Sequence, residues 1–140
     1  MALRHHICWA LVATVIGCAR SPEPVPGTGA KECVHRYYEA LVQRDWSTAY
    51  AALDAESQTR RSLNRFTELA QSYLASIGFE PEKVQLWNCE ERDAEATARV
   101  VFRGRAASQG RRYNEAVTLQ RSDDGWQVVL PLNFGTVKKR

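Results

Sequence analysis

Glu115 is the residue whose setting comes nearest to chemistry. In RRYNEAVTLQR (111–121), apolar and polar residues alternate, the period of a strand with one buried face. Alternation places Glu115 on the same face as Tyr113, Val117 and Leu119. A carboxyl on an apolar face is desolvated, which raises its pKa towards what a general base needs near neutral pH. Tyr113 stands beside it as a donor. The competing reading has Glu115 near the strand's end, reaching solvent or paired with an arginine. His35 lies beside Tyr37 and Tyr38, but a lone histidine more often serves the surface or the packing than catalysis.

Other chemistries lack their residues. No cluster of His and Cys has metal-ligand spacing, so no metal is expected. The glycines of FRGRAASQGRR fall in a turn between strands with no helix after it, unlike a phosphate loop. No serine-nucleophile motif appears, and no cofactor is expected. Arg103, Arg105, Arg111 and Arg112 flank that turn, and KKR ends the chain. They could meet anionic headgroups or an acidic partner. The simpler reading, preferred here, is a solvated hairpin whose charges keep its edge unpaired. Tyr38, Trp46, Tyr50, Phe66, Tyr73 and Trp126 are candidates for lining a ligand cavity, and at their spacings also for plain core.

The elements that hold these residues follow from periodicity. Val34, Tyr37, Tyr38, Leu41 and Val42 mark the stripe of a helix over about 30–44. A shorter helix is expected over 47–53, then a turn through QTRRS with Ser57 as its N-cap. A third helix over 65–76 carries Phe66, Leu69, Ala70, Tyr73, Leu74 and Ile77, with Gly78 as its stop. After Pro81 the period falls to two. KVQLWNCEE reads as a strand of unclear facing. In EATARVVFRGRA, Ala96, Ala98, Val100 and Phe102 share one face. Trp126, Val128 and Leu130 do so after a turn at SDDG. Short turns between strands imply an antiparallel meander, apolar on one face, which the amphipathic helices can cover. The fold class is α+β: N-terminal helices on a curved antiparallel sheet of about four strands.

A chain of 140 residues holds one ordinary domain. With 44% hydrophobic residues it can bury a core, and a net charge of only +3 does not suggest a nucleic-acid partner. The apolar run Ile7–Gly17 follows Arg4 and falls far short of the roughly 20 residues a membrane span needs. Its order is that of a secretory signal. Val15-Ile16-Gly17-Cys18 resembles the lipobox of bacterial lipoproteins. The resemblance implies diacylglyceryl transfer to Cys18, cleavage just before it, and two or three acyl chains at a membrane surface, enough for stable anchoring. Residues 1–17 are then a signal peptide, 18–30 a lipidated cysteine with a proline-rich tether, 31–134 the domain, and 135–140 a basic tail. Ala19 in place of Asp implies, by the same resemblance, the periplasmic face of the outer membrane rather than the inner membrane. With Cys8 removed and Cys18 lipidated, Cys33 and Cys89 remain in an oxidising compartment, where a disulfide between them is expected. Two separate buried thiols are the alternative.

YYEALVQRDWSTAYAAL (37–53) and VTLQRSDDGWQVVLPL (117–132) resemble the opening helices and last hairpin of the nuclear transport factor 2-like superfamily, shared with ketosteroid isomerase and the SnoaL-like proteins. The resemblance implies a cone-shaped fold whose pocket some members use for catalysis. Two functions follow as expectations. The first is a lipid-anchored, non-catalytic binding module of the cell envelope, meeting a small apolar ligand or an envelope protein, with a homodimer as a candidate assembly. The second is an isomerase or dehydratase acting through Glu115 and Tyr113.

Overall fold

The computed structural model describes residues 27–104 and 110–136. The lipobox Val15–Cys18, most of the tether, Arg105 and the terminal KKR lie outside the described residues.

Helix α1, Ala30–Gln43, buries Ala30, Cys33, Val34, Tyr37, Tyr38 and Leu41. These recur every three or four residues, so one stripe faces the core and the charged residues face out. Asp45 caps α2, Trp46–Ala51, accepting a hydrogen bond from the Thr48 N–H. The expected turn at 57–62 is a short helix instead, α3, Ala55–Arg60, and its cap is Asp54 rather than Ser57. The Asp54 carboxylate accepts from the Ser57 N–H at 3.3 Å, satisfying a donor the first turn leaves open. Ser57 is fully buried, and its Oγ accepts from the Leu130 N–H at 3.0 Å. Ser62 caps α4, Leu63–Ser76. The chain leaves α4 through Ile77 and Gly78, whose φ of +84° is open to glycine at no steric cost.

The sheet is an antiparallel meander in the order β1-β2-β3-β4, formed by β1 (Pro81–Arg92), β2 (Glu95–Gly104), β3 (Arg112–Ser122) and β4 (Gly125–Val129). The inward set of β2 is Ala96, Ala98, Val100 and Phe102, all buried. The facing of β1 changes along its length. Val84 and Leu86 turn inward before a register shift between Leu86 and Asn88, and Cys89 and Glu91 turn inward after it. One extra residue reverses the two-residue alternation, which is why the facing of this strand is illegible from period alone. Trp87, at the shift, is 74% exposed.

Helix α1 crosses the sheet against β1, β2 and β4, and α2 links it to α4. Strand β4 is short and does not end the sheet cleanly. The Asp54 N–H donates to the Val128 carbonyl at 3.0 Å and the Val128 N–H to the Ala52 carbonyl at 2.8 Å, so the chain between α2 and α3 covers that edge. After β4, the guanidinium of Arg60 donates to the Leu130 carbonyl at 3.3 Å and that of Arg61 to the Leu132 carbonyl at 2.8 Å. The segment then turns in, burying Phe134. Its ring stacks on Phe66 at 5.9 Å and on Tyr73 at 4.9 Å. Gly135 follows with φ +68°, and a Cβ there would lie 2.7 Å from the Leu69 carbonyl carbon and 2.8 Å from its Cα. The absence of a side chain at 135 therefore lets Phe134 close the end of the core.

At the other end, the Thr28 N–H and hydroxyl both donate to the Glu91 carboxylate, the hydroxyl at 2.8 Å. The Trp126 indole N–H donates to the Thr28 Oγ1 at 2.7 Å. The last residues before α1 are thus fastened to the sheet.

Candidate functional site

Pairing between β3 and β4 begins only at Thr118, so the stretch of β3 before it lacks a β4 neighbour. Between that stretch and the returning segment Leu130–Phe134 lies a cavity of about 210 Å³. Glu115 is in its wall, with Tyr37 and Tyr38 from α1, Tyr73 from α4, and Phe134. The alternation that put Glu115 on the inner face of β3 is observed, with Val117 and Leu119 buried in register and Tyr113 half-buried.

Glu115 is half-buried. The Tyr73 hydroxyl donates to its Oε2 at 3.1 Å, and the Tyr113 phenol adds a second, looser interaction. Desolvation pushes the Glu115 carboxyl above the ordinary glutamate value of 4.5, and the hydrogen bonds from Tyr73 and Tyr113 pull partly the other way. Burial also holds the phenols of Tyr37, Tyr38 and Tyr73 well above their ordinary value, with the Glu115 charge adding to the rise. All three therefore stay protonated donors. Among the described residues no lysine, arginine or histidine forms an ion pair with Glu115. Among the described residues, the arginine partner of the competing sequence reading is not found. Arg111 is spent elsewhere, donating to the Gly78 carbonyl at 3.2 Å, and Arg112 stands on the opposite face of β3.

The aromatic candidates divide. Tyr38 and Tyr73 line the cavity. Phe66 stands behind Phe134 as its stacking partner. The Tyr50 hydroxyl is committed to the Arg61 carbonyl at 2.8 Å, and Trp126 is tied to Thr28 with Arg121 over its ring. Trp46 packs half-buried against the core. None of these last three lines the Glu115 cavity. Tyr37 and Phe134 do, and sequence reasoning did not name them as pocket residues. Tyr37 was visible only as one of a helical stripe, and Phe134 lay at the edge of the expected tail.

His35 is exposed and pairs with Glu39 one helical turn on, at 3.5 Å, away from the cavity lining. Cys33 and Cys89 are free thiols, which corrects the expected disulfide. The Cys33 thiol is buried and donates to the Trp126 carbonyl at 3.1 Å, which is the arrangement of a packed thiol rather than a bridged one. Burial raises both thiol pKa values, with the Arg36 charge working partly against the rise at Cys33 and the Glu91 charge adding to it at Cys89. No group of three or more His, Cys, Asp or Glu is placed to hold a metal among the described residues. Arg103 donates to the Gln85 side chain at 2.6 Å and stands on the outer face of the sheet with Arg99 and Arg112.

No protein-family model matches the chain, and no curated protein matches it. Solved structures do. A Campylobacter jejuni protein described as an NTF2-like transpeptidase superposes with a TM-score of 0.58 at 14% identity, covering 72% of this chain and 97% of that one. A SEC-C motif containing protein from Rhodopseudomonas palustris (TM-score 0.47, 11% identity, 66% of this chain and 69% of that one) and a de novo designed protein with a curved β-sheet (TM-score 0.47, 10%, 71% and 92%) are more distant. The first likeness, with four helices on a curved, unclosed four-stranded sheet, makes the fold nuclear transport factor 2-like.

Proposed function

We propose that this chain is a non-catalytic binding module on that fold, taking a small molecule into the Glu115 cavity, and that acyl chains on Cys18 hold it at the cell envelope. One observation carries the binding reading. The fold keeps a carboxylate half-buried beside a cavity, sets tyrosine hydroxyls near it, and among the described residues gives it no ion-pair partner. Such a group costs stability, and strained or costly arrangements of this kind concentrate at sites of function.

The raised carboxyl and the adjacent tyrosines also favour a second reading, an isomerase or dehydratase with Glu115 as base and Tyr113 as donor. Geometry weighs against it. A base-and-oxyanion pair needs its donor aimed at the place where substrate charge develops. Here the Tyr73 hydroxyl donates to Glu115 itself, and Tyr113 is not among the described residues of the cavity lining. Among the described residues, the cavity lining contains neither serine nor cysteine, so a transpeptidase reaction, as in the Campylobacter protein's description, has no nucleophile of those types there.

Native mass spectrometry of the full chain, purified from its own envelope in a maltoside detergent, tests the binding reading. A retained small molecule that is lost in Glu115→Gln supports it. A ligand-free protein, with no response of the tyrosines to an extract of that envelope, removes it. Conversion of a retained compound into an isomer or dehydrated product would establish the enzyme instead. The anchor has its own test: Cys18→Ala is expected to accumulate as unprocessed, unacylated precursor, and normal processing of the variant would overturn the lipid anchor.

A further inference from the structure

Resting on the binding reading above, we infer that the ligand of the Glu115 cavity is a small organic cation, an alkylated ammonium, held by the Glu115 carboxylate and the surrounding aromatic rings. Three observations converge. Among the described residues, the carboxylate is the one acidic side chain in the cavity lining, and the lining contains no lysine, arginine or histidine. The site's charge is therefore unbalanced until something positive enters. Four aromatic rings stand in its wall: Tyr37 and Tyr38 meet edge to face at 4.9 Å, and Tyr73 stacks on Phe134. Aromatic rings attract cations through their quadrupole, most strongly where water is excluded, and clusters of them recognise alkylated ammonium groups.

The remaining alternatives fit less well. A metal ion needs several oxygen, nitrogen or sulfur ligands, and no such group stands together among the described residues. An anionic ligand would face Glu115 directly. A purely apolar ligand would leave the carboxylate desolvated and uncompensated. A cavity of about 210 Å³ lies below the roughly 300–1,000 Å³ of pockets for drug-sized ligands, which suits a head group of a few heavy atoms. An alkylated nitrogen also asks for few hydrogen-bond acceptors, and the lining offers few beyond Glu115 and the phenols.

The test uses the full chain in a maltoside detergent, with choline and its uncharged carbon isostere 3,3-dimethylbutan-1-ol as probes. Binding is read by calorimetry and by NMR signals of Tyr37, Tyr38 and Tyr73. Choline is expected to bind at least tenfold more tightly than the isostere. Glu115→Gln is expected to erase that preference, and Glu115→Asp to retain it, which separates loss of charge from loss of structure. Equal binding of both probes, or an unchanged preference in Glu115→Gln, overturns the cation while leaving the binding reading in place. If neither probe moves the tyrosine signals, the cation falls, and the envelope-extract experiment above decides the binding reading separately.

Discussion

Replacing Gly135 by alanine is expected to be among the most damaging small changes in this protein. Two costs add. The backbone at 135 has φ +68°, in the left-handed region, where an L side chain costs about 1–2 kcal/mol. The new Cβ would then press on the backbone of α4, 2.7 Å from the Leu69 carbonyl carbon, with its Cα at 2.8 Å and its carbonyl oxygen closer still. Main chain within a helix cannot swing aside as a flexible side chain can, so overpacking adds about 1–3 kcal/mol. The sum is about 2–5 kcal/mol, or a melting temperature lower by roughly 8–20 °C for a domain of this size. Urea unfolding followed by tryptophan fluorescence measures it. The same reasoning predicts coupling to Phe134, whose stacking on Phe66 and Tyr73 depends on the close approach at 135. Phe134→Ala alone is expected to cost about 3–5 kcal/mol, and the double variant clearly less than the sum of the two. A Gly135→Ala cost below about 1 kcal/mol, or strict additivity with Phe134→Ala, would show that the segment is not docked on α4. The cavity's aromatic floor would then need another explanation.

Three further outcomes follow from the structure. Glu115→Gln is expected to stabilise the protein at neutral pH. The folded carboxyl pKa is raised above its unfolded value, so the wild type has its full stability from this group below the unfolded pKa and loses it as pH rises through the folded one. Thermal melts should coincide below about pH 4 and separate above pH 4.5, the ordinary glutamate value, with the variant higher; a variant less stable at pH 7 refutes the desolvation argument. Ser57→Ala removes the acceptor of the Leu130 N–H in a fully buried position, and leaving a buried donor unsatisfied costs about 1–3 kcal/mol; denaturant titration showing less than about 0.5 kcal/mol would mean that water takes the acceptor's place. Both cysteines carry raised pKa values, and the thiolate is the reactive form. Iodoacetamide at pH 8 is expected to label the half-buried Cys89 before the buried Cys33, both more slowly than a solvent-exposed thiol of ordinary pKa; faster labelling of Cys33, or a bridged peptide in a non-reducing digest, would contradict the packing at α1 and β4.

The sequence by itself determined what depends on a short repeat along the chain. The stripe of α1, the inward faces of β2 and β3, and the α+β order are set by residue spacing against fixed helical and strand periods. The position of Glu115 on an apolar face belongs to this class. A register shift between Leu86 and Asn88 was not legible, because a bulge forms against a partner strand rather than from the residues it displaces. The cap of α3 was misplaced: Ser57 was expected to cap it, and Asp54 does so three residues earlier, with Ser57 as the capped donor. Everything that makes Glu115 a candidate site was decided by the tertiary structure. Tyr73 reaches it across 42 residues of chain, Tyr37 arrives from the first helix, and Phe134 closes the cavity only because Gly135 permits contact with Leu69. Burial and partnership of a charge depend on which distant segments meet around it, and local sequence period carries no information about that.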